Sequence, residues 1–298
     1  MRVFILGGTG SIGTAVTAEL CRRSHEVTAL SRSGVADDKL RRLGADPSRG
    51  DLRAPAGWAA EAVGHDAIIH AAATFSDDMG GVDTQVVSAL IGAAKQTRHK
   101  PRLIYTGGCW LYGETGDAVA TEDSRFNPIP AFSWMVGNAA RFLATPEFSA
   151  AILHPAMVYH ADGGVFDRFI EPARECRPME IWGDRQTRWP LIHRSDLARA
   201  YCGLLERPDL AGHFNVVSEE GVRAGDIMDA IARAFDNTLT PVTLSANDLV
   251  SRHGAWAIGP TLDQQMSAAK LRSETGWTPE ITDYRRSDLF DELRQRQV

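Results

Sequence analysis

The chain has few lysines. Only Lys39, Lys95, Lys100 and Lys270 occur in 298 residues, and the positions four before them hold Val35, Ile91, Gln96 and Met266, so the sequence contains no Y-x-x-x-K pair. Cysteine is equally sparse. Cys21, Cys109, Cys176 and Cys202 lie far apart and form no C-x-x-C pair, which argues against a disulfide framework, a zinc site or any other metal. This usage fits a reducing compartment, and a cytoplasmic location is expected. No stretch approaches the roughly 18 apolar residues of a membrane span, and the apolar run at the N-terminus is too short for a signal-peptide core. No membrane partner is expected. Positive charge is in deficit, with 32 Lys and Arg against 38 Asp and Glu and a net charge of −6. A chain without excess cations has nothing to neutralise a phosphate backbone, so nucleic acid is not an expected partner.

What is present starts at residue 3. Val3 to Leu6 is a β-compatible apolar run, followed by Gly7-Gly8-Thr9-Gly10-Ser11-Ile12-Gly13 and then a helix-compatible stretch from Thr14 to Arg23. Glycines spaced G-x-x-G-x-x-G between a strand and a helix allow a sharp turn and a close backbone approach to a diphosphate. The helix start then offers unpaired N–H groups and a positive dipole end to that diphosphate. The pattern predicts dinucleotide binding through Gly7, Thr9, Gly10, Ser11, Ile12 and Gly13.

A second strand, His25 to Ser31, ends in Ser31-Arg32-Ser33. A carboxylate at this position would take the ribose 2′-hydroxyl of NAD. An arginine flanked by hydroxyls suits a 2′-phosphate, so NADP (NADPH) is expected in preference to NAD. Asp46 to Arg49 reads as a third strand, Asp66 to His70 as a fourth and Arg102 to Thr106 as a fifth. Helices are expected over 37–43, 82–97 and 127–144, with a sixth strand over 149–153. Asp51 is placed to cap the next helix or to accept from the adenine amino group, with Leu52 beside it. The small residues Ala71, Ala72 and Ala73 would let the backbone approach the cofactor. Alternating strands and helices imply an α/β fold, a doubly wound parallel sheet with helices on both faces.

Beyond residue 158 the pattern loosens. Helices are expected over 165–176, 195–206 and 223–235, and short strands over 179–182 and 188–192. Asp196 reads as a helix cap or dipole partner, and Asp283 to Gln297 as an amphipathic surface helix. The expected organisation is a nucleotide-binding domain over 1–158 and a smaller α+β substrate domain over 159–298, with about 190–217 returning to the first sheet.

Several stretches together resemble the extended short-chain dehydrogenase/reductase family, the epimerase/dehydratase-like group. These are the glycine loop, Gly50-Asp51-Leu52, Ile69-His70-Ala71-Ala72, Leu111-Tyr112-Gly113, His154-Pro155-Ala156-Met157-Val158-Tyr159, Arg188 with His193 to Ala198, and Gly276-Trp277-Thr278-Pro279. The resemblance implies a Rossmann fold and a small-molecule substrate. It adds Thr106, Pro155 and Met157 to the cofactor site, and it implies a homodimer formed through helices on one face of the sheet. It also exposes a gap. The family's proton-transferring tyrosine, its lysine and its serine fall on Trp134, Asn138 and Gly108. Indole only donates, an amide carries no charge to depress a phenol pKa, and glycine has no hydroxyl.

Two substitutes suggest themselves as catalytic groups. His160 replaces the last glycine of the family's R-P-x-x-V-Y-G turn and would bring an imidazole near the nicotinamide; the other reading is a stacking or surface histidine. Tyr112 reads as a proton donor or as a packing aromatic. His154 and Tyr159 are further candidates, and Cys109 reads as an inert thiol. Trp110, Phe132, Trp134, Trp182 and Trp189 fall in cleft segments and suggest a pocket for an aromatic ring. The resulting expectation is an oxidoreductase, or a related isomerase, on a small carbonyl compound. The alternative is a non-catalytic protein that senses NADP(H) or presents a surface to a partner.

Overall fold

The computed structural model describes residues 1–161 and 163–290. Strand β1 (Arg2–Leu6) is buried at four consecutive positions after Arg2, as a central strand covered on both faces must be. It leads through the glycine loop into α1 (Ser11–Arg22). There follow β2 (Glu26–Ser31), α2 (Gly34–Arg42), β3 (Asp46–Arg49), α3 (Ala59–Val63), β4 (Ala67–His70), α4 (Met79–Ala94), β5 (Arg102–Thr106), α5 (Ser133–Leu143) and β6 (Ser149–Pro155). The second half contains β7 (Met157–His160), β8 (Gly163–Gly164), α6 (Asp167–Arg174), β9 (Glu180–Trp182), β10 (Arg188–His193), α7 (Arg194–Leu205), β11 (Gly212–Val216), β12 (Glu219–Arg223), α8 (Ala224–Ala234), β13 (Val242–Leu244), α9 (Ala246–His253) and α10 (Ala269–Thr275).

Seven strands form the main sheet in the order β11-β6-β5-β4-β1-β2-β3, parallel at every pairing. Chain order reverses between β1 and β4. In such sheets the crevice for ligands opens there, beyond the carboxyl ends of the strands. One core lies under α1 and α7 and runs on into the second half of the chain, with Val16, Leu20, Leu197 and Tyr201 fully buried. The opposite face holds Phe4, Trp58, Leu90 and Phe142 against α3, α4 and α5. The second half adds a four-stranded sheet, β12-β10-β7-β8, and the pair β13-β9. Strand β11 crosses back to the main sheet beside β6. Among the described residues no helix is long and apolar enough to cross a membrane.

Several expected boundaries shift for identifiable reasons. The span 127–144 is not one helix: Pro128 and Pro130 push their preceding residues out of the helical region, a single 3-10 turn occupies Pro130–Phe132, and α5 starts at Ser133. Helix α4 starts at Met79, three residues before Val82, and α6 starts at Asp167. The expected surface helix from Asp283 opens as a 3-10 turn, Tyr284–Arg286, and its positions 291–297 lie outside the described residues. Asp196 is not the cap of α7. That role belongs to His193, whose side chain accepts from the Ser195 N–H. Asp196 is fully buried and accepts the backbone N–H groups of Glu280 and Ile281 at 3.0 and 2.9 Å while pairing with Arg199, so it pins the C-terminal segment to α7.

Candidate active site

The glycine loop is closely packed between the Ala71 backbone and the start of α1. Gly7 adopts φ +86°, and a Cβ there would lie 2.7 Å from the Ala71 carbonyl oxygen, while a Cβ on Gly13 would lie 1.9 Å from the Gly7 carbonyl oxygen. Only glycine permits both contacts, so the loop, the start of α1 and the Ala71–Ala73 segment come together at the sheet's switch point. Helix α1 has Gly10 at its N-cap and no side-chain cap, which leaves the first-turn N–H groups around Ser11, Ile12 and Gly13 for an anion. Thr9 turns its carbonyl to Lys39 Nζ at 2.9 Å, bringing a cation from α2 to the loop.

At the end of β2, Ser31 Oγ donates to Asp37 Oδ1 at 2.6 Å, and the other oxygen of that carboxylate pairs with Arg49 at 2.8 Å. An acidic side chain is therefore near the ribose end of the site, but both its oxygens are engaged. Ser33 caps α2 by accepting from the Ala36 N–H, and Arg32 stands exposed between the two serines. Asp51 closes a turn by accepting the Arg53 N–H at 2.9 Å, which leaves its second oxygen for a ligand. Leu52, Ala72, Ala73, Val86 and Trp134 line a narrow crevice close by in the chain. Thr106 shares a hydrogen with the Tyr201 hydroxyl at 2.6 Å, and Pro155 and Met157 are buried where β6 passes into β7.

The three vacated family positions are filled structurally. Gly108 starts a 3-10 turn, Cys109–Tyr112, and its N–H points at His154 Nδ1, 3.3 Å away. His154 lies behind Gly107, where a Cβ would come within 2.3 Å of the ring, and its Nε2 is 2.9 Å from His213 Nδ1. Burial and the neighbouring imidazole push its pKa down to about 3, so it is neutral. Trp134 gives its N–H to the Ala131 carbonyl at 2.8 Å and lays its ring over Gly80. Asn138 faces α4 and donates to Asp83 Oδ2 at 2.7 Å. The same oxygen accepts from the Tyr105 hydroxyl at 2.8 Å, and Oδ1 lies 3.0 Å from His70 Nε2. The position of the missing lysine thus belongs to a buried polar cluster around a carboxylate, which the sequence reading did not find.

The two expected proton donors are both engaged. Tyr112 is 4% exposed and donates to Asn215 Oδ1 at 2.7 Å, and burial with Glu122 nearby raises its pKa well above that of a free phenol. This placement makes Tyr112 a packing aromatic. His160 is 3% exposed, and its Nε2 lies 2.7 Å from Ser11 Oγ, so the imidazole sits against the phosphate loop. Burial raises the Cys109 thiol to about 12, which keeps it protonated, and Tyr159 is likewise raised by burial.

Rings from both halves of the chain meet in one cluster. Trp110 stacks on Trp256 at 6.5 Å and tilts against Phe132 at 5.5 Å; Trp256 meets Trp182 at 5.8 Å and Phe75 at 6.3 Å. Trp189 is buried elsewhere, stacked on Phe169 with its N–H on the Pro260 carbonyl. Arg188 pairs with Asp263 at 2.6 Å and with Asp117 at 3.1 Å, which gives it an ion-pair role.

The sequence relates to known proteins throughout. It is 26% identical over 287 residues to the uncharacterized protein C2A9.02 of Schizosaccharomyces pombe, covering 94% of this chain and 95% of that one. It is 25% identical over 199 residues to 4-hydroxy-2-methyl-3-oxo-4-farnesyl-3,4-dihydroquinoline-1-oxide ketoreductase of Stigmatella aurantiaca, covering 62% and 59% of the two chains. The fold superimposes on the crystal structure of human epimerase family protein SDR39U1 (isoform 2) with NADPH, with a TM-score of 0.79, 23% identity and coverage of 99% and 98%. Residues 3–217 match the NAD dependent epimerase/dehydratase family, and the chain belongs to that family of NAD(P)-binding oxidoreductases.

Proposed function

We propose that the protein is an NADP(H)-dependent oxidoreductase that reduces a small aromatic carbonyl compound without the Tyr/Lys pair of its family. The observation that carries the cofactor choice is the end of β2: Arg32 is exposed between two hydroxyls, and the carboxylate bonded to Ser31, Asp37, is also paired with Arg49. A 2′-phosphate would meet a guanidinium there, whereas a free 2′-hydroxyl would have to share a carboxylate already held by two donors. Binding of NADPH in the solved SDR39U1 structure supports the reading. The close-packed glycines Gly7 and Gly13 beside Ala71 would take the diphosphate, and Asp51, with one carboxylate oxygen outside its turn, would face the adenine side. When bound, the reduced nicotinamide would supply a hydride to the carbonyl carbon.

The chain's own groups bind and shield. The rings of Trp110, Phe132 and Trp256 offer an apolar wall to a flat substrate, and the ketoreductase relative, named for a quinoline ketone, supports that class. With Trp134, Asn138 and Gly108 in the family positions and Tyr112 committed to Asn215, the proton for the product oxygen comes from water. A second reading, a non-catalytic NADP(H) sensor, is favoured by the joint loss of three roles that act as a unit. Calorimetry and turnover separate the readings. We expect NADPH to bind at least about tenfold tighter than NADH, with Arg32→Ala erasing the difference by the loss of a charge-assisted contact. Aryl ketones should be reduced with NADPH consumed. Equal affinity for the two cofactors would refute the NADP assignment, and tight binding without turnover on a broad carbonyl panel would favour the sensor.

A further inference from the structure

We propose that Arg168 is an anion anchor at the edge of the substrate site, so that the aromatic carbonyl substrate carries a carboxylate. The inference rests on the carbonyl-reducing reading above and narrows its substrate class. Arg168 is the second residue of α6. Its guanidinium carbon sits 4.3 Å from the centroid of the Trp182 ring and 5.4 Å from that of Trp189. Indole faces attract a cation but bring no oxygen to its N–H groups. Among the described residues, the one oxygen that Arg168 bonds is the Val165 carbonyl, which accepts from Nε at 3.0 Å. Nη1 is covered and has no acceptor. Nη2 makes no hydrogen bond either, yet it is not covered, and the side chain as a whole is only half-buried.

Arg102, the other strongly buried arginine, shows the usual solution: its amino groups donate to the Leu210 and Leu204 carbonyls at 2.7 and 2.9 Å. Arg168 has no such acceptors, and among the described residues it forms no ion pair, although Asp167 precedes it. A cation drawn out of water without a partner is costly. Burial lowers its pKa only to about 10, so the charge persists at neutral pH. The position of α6 gives that charge a use. Asp167 lies against Gly163, where a Cβ would come 3.1 Å from Asp167 Oδ2 and 3.0 Å from His160 Cε1, and His160 rests on Ser11 of the phosphate loop. On the other side Trp182 meets Trp256 at 5.8 Å, and Trp256 stacks on Trp110. The guanidinium therefore borders the rings that wall the substrate, with Nη2 open to an anion. Its single charge balances a carboxylate, whereas a phosphate monoester carries closer to two charges at neutral pH.

The test uses the whole protein saturated with NADP⁺, which has no hydride to give a ketone, with para-acetylbenzoate and its neutral counterpart acetophenone as probes. By calorimetry the charged probe is expected to bind at least about tenfold tighter, the worth of a charge-assisted contact. Arg168→Met keeps an apolar stem and removes the charge. It should abolish the preference while leaving the affinities for acetophenone and NADPH within about twofold. If para-acetylbenzoate binds the parent protein no tighter than acetophenone does, the proposal is overturned without recourse to a variant, and a preference that survives in Arg168→Met overturns it equally. Tighter binding of para-acetylphenyl phosphate than of para-acetylbenzoate would overturn the choice of a carboxylate. Failure of the underlying reading would show elsewhere, as no NADPH binding by calorimetry.

Discussion

The contact between His160 and Ser11 separates two roles for the imidazole, and removing it distinguishes them. The pair joins the end of β7 to the first residue of α1 across 149 residues of sequence, at 2.7 Å. The imidazole is 3% exposed, so water does not compete well for the bond. A net hydrogen bond of this kind is worth about 0.5 to 1.5 kcal/mol, or roughly two- to tenfold in affinity. If the bond holds Ser11 ready for the diphosphate, His160→Ala weakens NADPH by about that factor and leaves kcat within about twofold. Ser11→Ala should do the same, and the double variant should be hardly worse than either single one, because both delete one interaction. Calorimetric titration of the four proteins with NADPH, with steady-state rates on a reducible aryl ketone, provides the cycle. Strictly additive losses in affinity would refute the coupling. An unchanged NADPH affinity with a collapsed kcat would restore the imidazole as a proton donor.

Other perturbations test the remaining structure. Asn138→Leu leaves Asp83 without its shortest donor in a buried cluster, and thermal unfolding should show a loss of about 1 to 3 kcal/mol. Asp196→Ala orphans the N–H groups of Glu280 and Ile281 together with Arg199. A loss of about 3 to 5 kcal/mol is expected, with earlier proteolysis of the C-terminal segment. Glu219, which accepts the Tyr284 N–H, is raised by burial from 4.5 to about 7. The folded state therefore holds a proton that the unfolded chain releases near pH 4.5. Its stabilising effect is complete below that pH and is lost as pH rises through about 7. Denaturant titrations should show a decline on the order of 1 to 2 kcal/mol over this window, after allowing for water at the half-buried side chain, and Glu219→Gln should flatten it.

The strand-turn-helix start of the main sheet was legible because its signals are local. The glycine spacing, the residues after β2 and the small residues after β4 each state their conformational need within a few positions. The contacts that complete the site are distant in sequence. Lys39 reaches Thr9 from another helix, His160 reaches Ser11 from another sheet, and Asp83 gathers Asn138, Tyr105 and His70 from three elements. Spacing cannot announce such meetings. Tyr112 shows the converse limit. The motif identified its place in the chain, but the direction of its hydroxyl was decided by Asn215, 103 residues later. Asp196 sits where a helix-start acid usually caps, and tertiary structure used it for another segment.

The seat of Trp134 has an evolutionary consequence. Its indole occupies the space above Gly80, where even one methyl carbon would come within 2.7 Å. Exchanging that indole for a phenol would open a hole on α4, and a lysine at 138 would have to displace the amide that serves Asp83. Gly108 differs, because a Cβ there would meet nothing within 4 Å and a serine could be accommodated. A tyrosine at 134 and a lysine at 138 would therefore each disturb packing or hydrogen bonding unless α4 changed with them, and either exchange made alone would cost stability before any gain in chemistry appeared.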